Sequence, residues 1–138
     1  MYDLDEVVDA LATQFMAAFP VETPTQRTIG REAEYPVVKA TGEAADARRL
    51  LEQLRATQGL TAHYDSGNKR LIVGVDGEDY KYALEVGVGT IEVNTRPCHT
   101  LFEIQTIMVE AVLPIVRLAA RFDWRVLGYG IQPVTPPT

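Results

Sequence analysis

Apolar residues recur at Leu4, Val7, Val8, Leu11, Phe15, Met16 and Phe19. This spacing predicts an amphipathic helix from residue 3 to about 19, with one stripe for burial against a core. Pro20 stops it and Thr23-Pro24-Thr25 extends the break, so residues 1–26 read as a helix and a linker. From Arg27 to Ala40 the pattern turns to strand, with β-branched and aromatic residues and a proline, Pro36, that forbids a helix. Gly42 ends it. Ala44 to Thr57 predicts a second helix, with Leu50, Leu51 and Leu54 inside and Arg48, Arg49, Glu52 and Arg55 outside; Gly59 is its stop.

Three short strands follow, over Leu60–Tyr64, Arg70–Val75 and Tyr80–Val86, joined by turns at Asp65-Ser-Gly-Asn and Asp76-Gly-Glu-Asp. Gly87 and Gly89 break the chain as a bulge or tight turn, and Thr90 to Thr95 resumes the strand. His99 to about Phe122 is the longest helix, its stripe running from Leu101 and Ile104 to Ile115 and Leu118, with Pro114 expected to kink or divide it. Trp124 to Gln132 reads as a last strand, in which Gly128 and Gly130 indicate close approach of another backbone or a ligand. Strand following strand predicts an α+β fold built on an antiparallel meander rather than alternating βαβ units.

Composition narrows the function classes. With 138 residues, 46% of them hydrophobic, the chain can bury the core of one domain. A net charge of -6 argues against nucleic acid as the partner, although metal ions can still bridge carboxylates to a nucleotide's phosphates. No apolar run approaches the ~18 residues that cross a bilayer. The acidic opening, Asp3, Asp5 and Glu6, is unlike a signal peptide, and the single cysteine, Cys98, excludes an internal disulfide; both fit a cytoplasmic protein. The proline-stiffened end, Pro133–Thr138, reads as a linker toward a further portion.

Two pairs of glutamates are the candidate chemistry. Glu32 and Glu34 are two apart, so in a strand they share a face, where they are either solvated or gathered around a cation. Glu85 and Glu92 flank the glycine break. An unbroken strand would put them on opposite faces; the glycines allow both to face the same way. The expectation is that all four hold divalent metal. His63 and His99 are too isolated for a zinc site, and Cys98 beside His99 does not make a nucleophile–base pair. Gly87-x-Gly89 lacks the third glycine and the following helix of a dinucleotide fingerprint.

Taken in order, these segments resemble a known family. Ile29-Gly-Arg-Glu-Ala-Glu-Tyr35 is similar to the opening Gly-x-Glu-x-Glu strand of glutamate–cysteine ligases. Glu85-Val-Gly-Val-Gly-Thr-Ile-Glu-Val-Asn-Thr-Arg-Pro97 is similar to the Glu-Pro-Gly-Gly-Gln-x-Glu-Leu-Ser segment of the plant and proteobacterial type. Leu127-Gly-Tyr-Gly-Ile-Gln-Pro133 looks like that family's Leu-Gly-x-Gly-x-x-Pro strand. The resemblance implies part of a glutamine-synthetase-like catalytic fold: a curved antiparallel sheet with helices packed on one face. It implies ATP- and Mg²⁺-dependent joining of the glutamate γ-carboxylate to the cysteine amine through an acyl phosphate, the first step of glutathione synthesis. Glu32, Glu34, Glu85 and Glu92 then fall on the family's metal positions, and Asn94, Thr95 and Arg96 on its amino-acid-facing loop. Arg96 could pair a substrate carboxylate bidentately. Val86, Val88 and Asn94 stand where the family has proline, glycine and serine; the alternative within the resemblance is a related ligase with another amine substrate, which would keep the glutamates and alter the loop. Family members are several hundred residues long, so the chain corresponds to an N-terminal part, completed by a missing C-terminal portion or by self-association. The competing reading is a non-catalytic or degenerate α+β binding or assembly module.

Overall fold

The computed structural model describes residues 3–19, 26–85 and 87–134. The proline break at residues 20–25, Val86 and the end of the proline tail at 135–138 lie outside the described residues. The elements in order are α1 (Leu4–Ala17), β1 (Glu32–Lys39), α2 (Arg48–Gln58), β2 (Thr61–Tyr64), β3 (Ile72–Asp76), β4 (Tyr80–Leu84), β5 (Thr90–Thr95), α3 (Leu101–Arg121) and β6 (Trp124–Val126). The strands form one six-stranded open sheet, β2-β3-β4-β5-β1-β6, with every pairing antiparallel. The fold is α+β, as the order of strands predicts.

The meander β2–β5 follows from its turns. Asp65 accepts from the backbone N–H groups of Gly67 and Asn68 at 2.9 and 2.7 Å, the local bonding that makes aspartate a turn former. Gly77 closes the next turn with a backbone bond to Tyr80. β1 then lies beside β5 through Glu32–Pro36 and beside β6 through Val37–Lys39. Pro36 is tolerated because it sits where the partner changes: its carbonyl accepts from Leu127, the residue just past β6. Gly42, at φ 89°, turns the chain so that Ala44 bridges back to Val38. Those returning bonds occupy residues 43–45, so α2 starts at Arg48 rather than at Ala44.

Both long helices cover one face of the sheet. Leu50, Leu51 and Leu54 of α2 are fully buried, as their spacing predicts. Gly59 ends α2 in the left-handed conformation, its N–H on the Arg55 carbonyl. α3 opens with a capping box: Thr100 accepts from the Glu103 N–H, and Glu103 accepts from the Thr100 N–H. Pro114 does not divide it; the helix runs from Leu101 to Arg121 as one element. Ile104, Ile107, Met108, Ala111, Ile115 and Leu118 pack with Val37, Val75, Tyr82, Ile91 and Val93 in one cluster. Tyr82 reaches from β4 to donate its hydroxyl to the Ala111 carbonyl of α3 at 2.8 Å. Burial, foremost, pushes its phenol well above the usual tyrosine range.

Two further expectations change. α1 forms, capped by Asp3, but its stripe is not part of the core: none of its residues is buried, and Leu11 and Phe15 are 60% and 65% exposed. The ground over the sheet is filled by α2 and α3, whose leucines and isoleucines complete the core without it. The last strand also ends early, at Val126 rather than Gln132. Its continuation leaves the sheet and bends back over β1 and β5, where Gln132 bonds the carbonyls of Gly89 and Val37 at 2.8 and 3.4 Å. No helix among the described residues is long and apolar enough to cross a membrane.

Candidate functional site

Strand alternation sends every second residue of β1, β4 and β5 to the face opposite the helices. The registers arrange these residues in rows across the sheet. One row runs Asp76, Lys81, Asn94, Glu32; the next runs Gly74, Ala83, Glu92, Glu34; a third holds Thr90 and Pro36, with Glu85 bonding to Thr90 through its backbone N–H. Glu85 and Glu92 therefore share a face because the chain reverses between them. They are neighbours on the two arms of the β4–β5 hairpin, displaced by one alternation step.

Glu34, Glu85 and Glu92 converge. Each offers a carboxylate oxygen, and these oxygens lie within 4.8 Å of one another. Glu34 is exposed, while Glu85 and Glu92 are half-buried. Glu32 is not in this group; its place is one row away, opposite Asn94. Three carboxylates at such spacing repel, and oxygen donors so gathered suit a hard cation such as Mg²⁺, whose octahedral shell needs several oxygens about 3 Å apart.

The surroundings hold the cluster in place. Asn94 donates its side-chain amide to Glu92 Oε1, which orients that carboxylate; Asn94 Oδ1 is buried with no hydrogen-bond partner among the described residues. Ala83 beside Glu92 keeps the sheet surface low. The returning segment after β6 passes Glu34 closely: a β-carbon added to Gly130 would sit 3.7 Å from Glu34 Oε2. The close approach of a backbone or ligand expected at Gly128 and Gly130 is not found among the described residues: Gly128 has open space around it, and Gly130 meets only the Glu34 side chain, at ordinary contact distance.

The other candidates have different settings. Thr95 alternates to the helix-bearing face, and its hydroxyl accepts from the Arg31 N–H at 3.0 Å. Arg96 is held by its own chain: Nε lies 2.6 Å from Asp79 Oδ1, Nη2 is 3.8 Å from Glu103 Oε1, and Nη1 donates to the Pro97 carbonyl. Its bond to Asp79, foremost, holds the guanidinium above its ordinary value. Arg96 joins the β3–β4 turn to the start of α3. A cleft of about 510 Å³ lies beside the cluster, with Glu32, Glu92, Asn94, Lys81 and Arg96 among its walls. Lys81 is the residue that sequence reasoning missed. Its signal was present: Tyr80, Tyr82 and Leu84 alternate with Lys81, Ala83 and Glu85, which puts the lysine on the glutamates' face. Its ammonium is 3.6 Å from Asp76, which also meets His63 at 2.9 Å.

Comparison of the chain with protein-family models and with curated proteins gives no match.

Proposed function

We propose that Glu34, Glu85 and Glu92 form the Mg²⁺-holding part of an ATP-dependent carboxylate–amine ligase, of the glutamate–cysteine type that the motif order resembles, in a cytoplasmic protein. The observation that carries this reading is the convergence of three glutamates, drawn from two distant parts of the sequence, on the sheet face free of helices. Asn94 orients Glu92 from the same face, and Glu32 with Lys81 flanks the cleft beside it. Bound Mg²⁺ would neutralise the charge of ATP phosphates while the glutamate γ-carboxylate takes the phosphoryl group. The carboxylates of this chain fix where the nucleotide's phosphates come to lie; the amine of cysteine, or of a related substrate, then displaces phosphate from the activated carboxyl. Groups that complete the nucleotide and amino-acid sites belong, on this reading, to a C-terminal portion or to another copy.

One observation favours the alternative of a non-catalytic binding or assembly module. Arg96, the candidate for a substrate carboxylate, already has Asp79 and Glu103 as partners. Calorimetric titration with Mg²⁺, with and without ATP, separates the two. The ligase reading expects wild type to bind Mg²⁺ and ATP to tighten that binding, both lost in the Glu85→Ala/Glu92→Ala variant. Equal binding by wild type and variant overturns it.

A further inference from the structure

α1 carries an exposed apolar stripe with no core behind it: Leu4, Val7, Val8, Leu11, Phe15, Met16 and Phe19 all stand at least partly open to solvent. Elsewhere, α3 and β1 leave a groove of about 540 Å³ on the helix-bearing side of the sheet. Tyr35, Leu101, Met108, Val109, Val112 and Leu113 are among its walls, and Arg31 is the one charged residue that lines it among the described residues. The α3 residues flanking it are unusually apolar for a surface: Leu101, Val109, Leu113 and Val116 are all exposed.

We infer that α1 of the same chain docks in this groove, its apolar stripe against α3 and β1. Three observations carry the inference. The first is length. The fourteen residues of α1 span about 21 Å at 1.5 Å per residue, and the α3 flank from Leu101 to Val116 spans about 22 Å. The second is charge. Residues 1–26 contain Asp3, Asp5, Glu6, Asp9 and Glu22 with no lysine or arginine, whereas the groove contributes Arg31, and Arg117 follows one turn beyond Leu113. The carboxylates of α3, Glu103 and Glu110, border a different cleft. The third is reach. α1 joins the groove's own wall, since β1 begins one residue after Arg31, and the intervening 14 residues span up to about 46 Å when extended, enough for either orientation of the helix. An isolated helix this short is marginal in water, so burial of its stripe supplies what its length does not.

Hydrogen exchange on the full chain tests this, read at the α1 amides from Val7 to Phe15, together with molar mass by light scattering. Docking predicts that α1 amides exchange at least about tenfold more slowly than an unfolded peptide, at a monomer mass and independently of concentration. Leu113→Asp in the groove, and separately Leu11→Asp on α1, should each abolish that slowing while the amides of Ile91 and Val93 in β5 stay protected. Should Leu113→Asp fail to fold, the Leu11→Cys/Val109→Cys pair decides, because these positions lie at the centres of the two stripes and meet in either helix orientation. An intrachain disulfide between them is expected. Unprotected α1 amides in wild type overturn the inference. So does protection that survives the folded groove variant, or a disulfide found only between chains, which would make a second copy the occupant.

Discussion

The two faces of the sheet use their residues in opposite ways. On the helix-bearing face, Tyr82, Ile91, Val93 and Val37 are sealed beneath α2 and α3, and the phenol among them has a carbonyl partner. On the other face, Glu34, Glu85 and Glu92 crowd together, and Glu32 and Asn94 form the adjoining row. The first face lowers the free energy of the folded chain through apolar burial. The second gathers like charges, which by themselves oppose folding. The difference teaches where function is to be sought: a fold held by apolar burial on one face can tolerate like charges gathered on the other.

Substitution on the two faces should therefore differ in sign as well as size. The largest effect is expected at Leu51, which is fully buried in the cluster under α2. Leu51→Ala should lower unfolding free energy by about 2–5 kcal/mol in urea titration, through lost burial and the cavity left behind. That loss should be the same with and without Mg²⁺. A cost below about 1 kcal/mol would mean that α2 contributes little to the core.

On the open face, Glu92→Gln should do the reverse. Glu92 lies between Glu34 and Glu85, and glutamine retains an oxygen for the Asn94 amide. Without divalent metal, removing its charge should raise unfolding free energy by on the order of 1 kcal/mol, the Coulomb energy of a close exposed pair in a water-like medium. Added Mg²⁺ should raise the stability of wild type more than that of the variant, because a ligand specific to the folded state stabilises it by mass action. A variant less stable than wild type in chelator would show that the cluster is not under repulsion.

The contrast between faces was partly legible from the residues. Leu50, Leu51 and Leu54 declared their burial, and Thr100 with Glu103 marked the start of α3, because both are local patterns. The shared face of Glu85 and Glu92 was also within reach, since the glycines between them reverse the chain. Alternation alone could not separate Glu32 from Glu34. Which of them meets Glu92 depends on the register between β1 and β5, strands far apart in sequence, and no local pattern sets it. The same holds for Arg96, whose partners Asp79 and Glu103 come together only in the folded chain. Periodicity gave α1 an apolar stripe but no partner for it, and Gly128 and Gly130, read as a closely approached strand, belong to a crossing segment where Gly128 has open space and Gly130 ordinary contact with Glu34.

The smallest expected effect separates the helix-bearing side's own charges from those of the open face. Glu103 closes the capping box of α3, accepting from the N–H groups of His99 and Thr100 at 2.7 and 3.0 Å. These bonds, His99 first and Thr100 second, hold its carboxyl below its ordinary value of 4.5. A carboxylate whose pKa is depressed by folding stabilises fully above its unfolded pKa, and that contribution fades as pH falls through the folded one. Stability from Glu103 should therefore be present at neutral pH and drain away below about pH 4.5, as the proton displaces the charge that the two N–H groups favour. Glu103→Gln keeps an acceptor but cannot titrate, so its unfolding free energy should vary less steeply than that of wild type in this acid range. Thr100→Ala removes the other half of the box, at a cost of about 1 kcal/mol that is present at neutral pH as well. Neither variant should alter Mg²⁺ binding, since both residues belong to the start of α3, on the helix-bearing side of the sheet. A change in Mg²⁺ affinity in either would mean that the faces are coupled through Arg96, which pairs with Glu103 on one side and borders the Glu32–Glu92 cleft on the other.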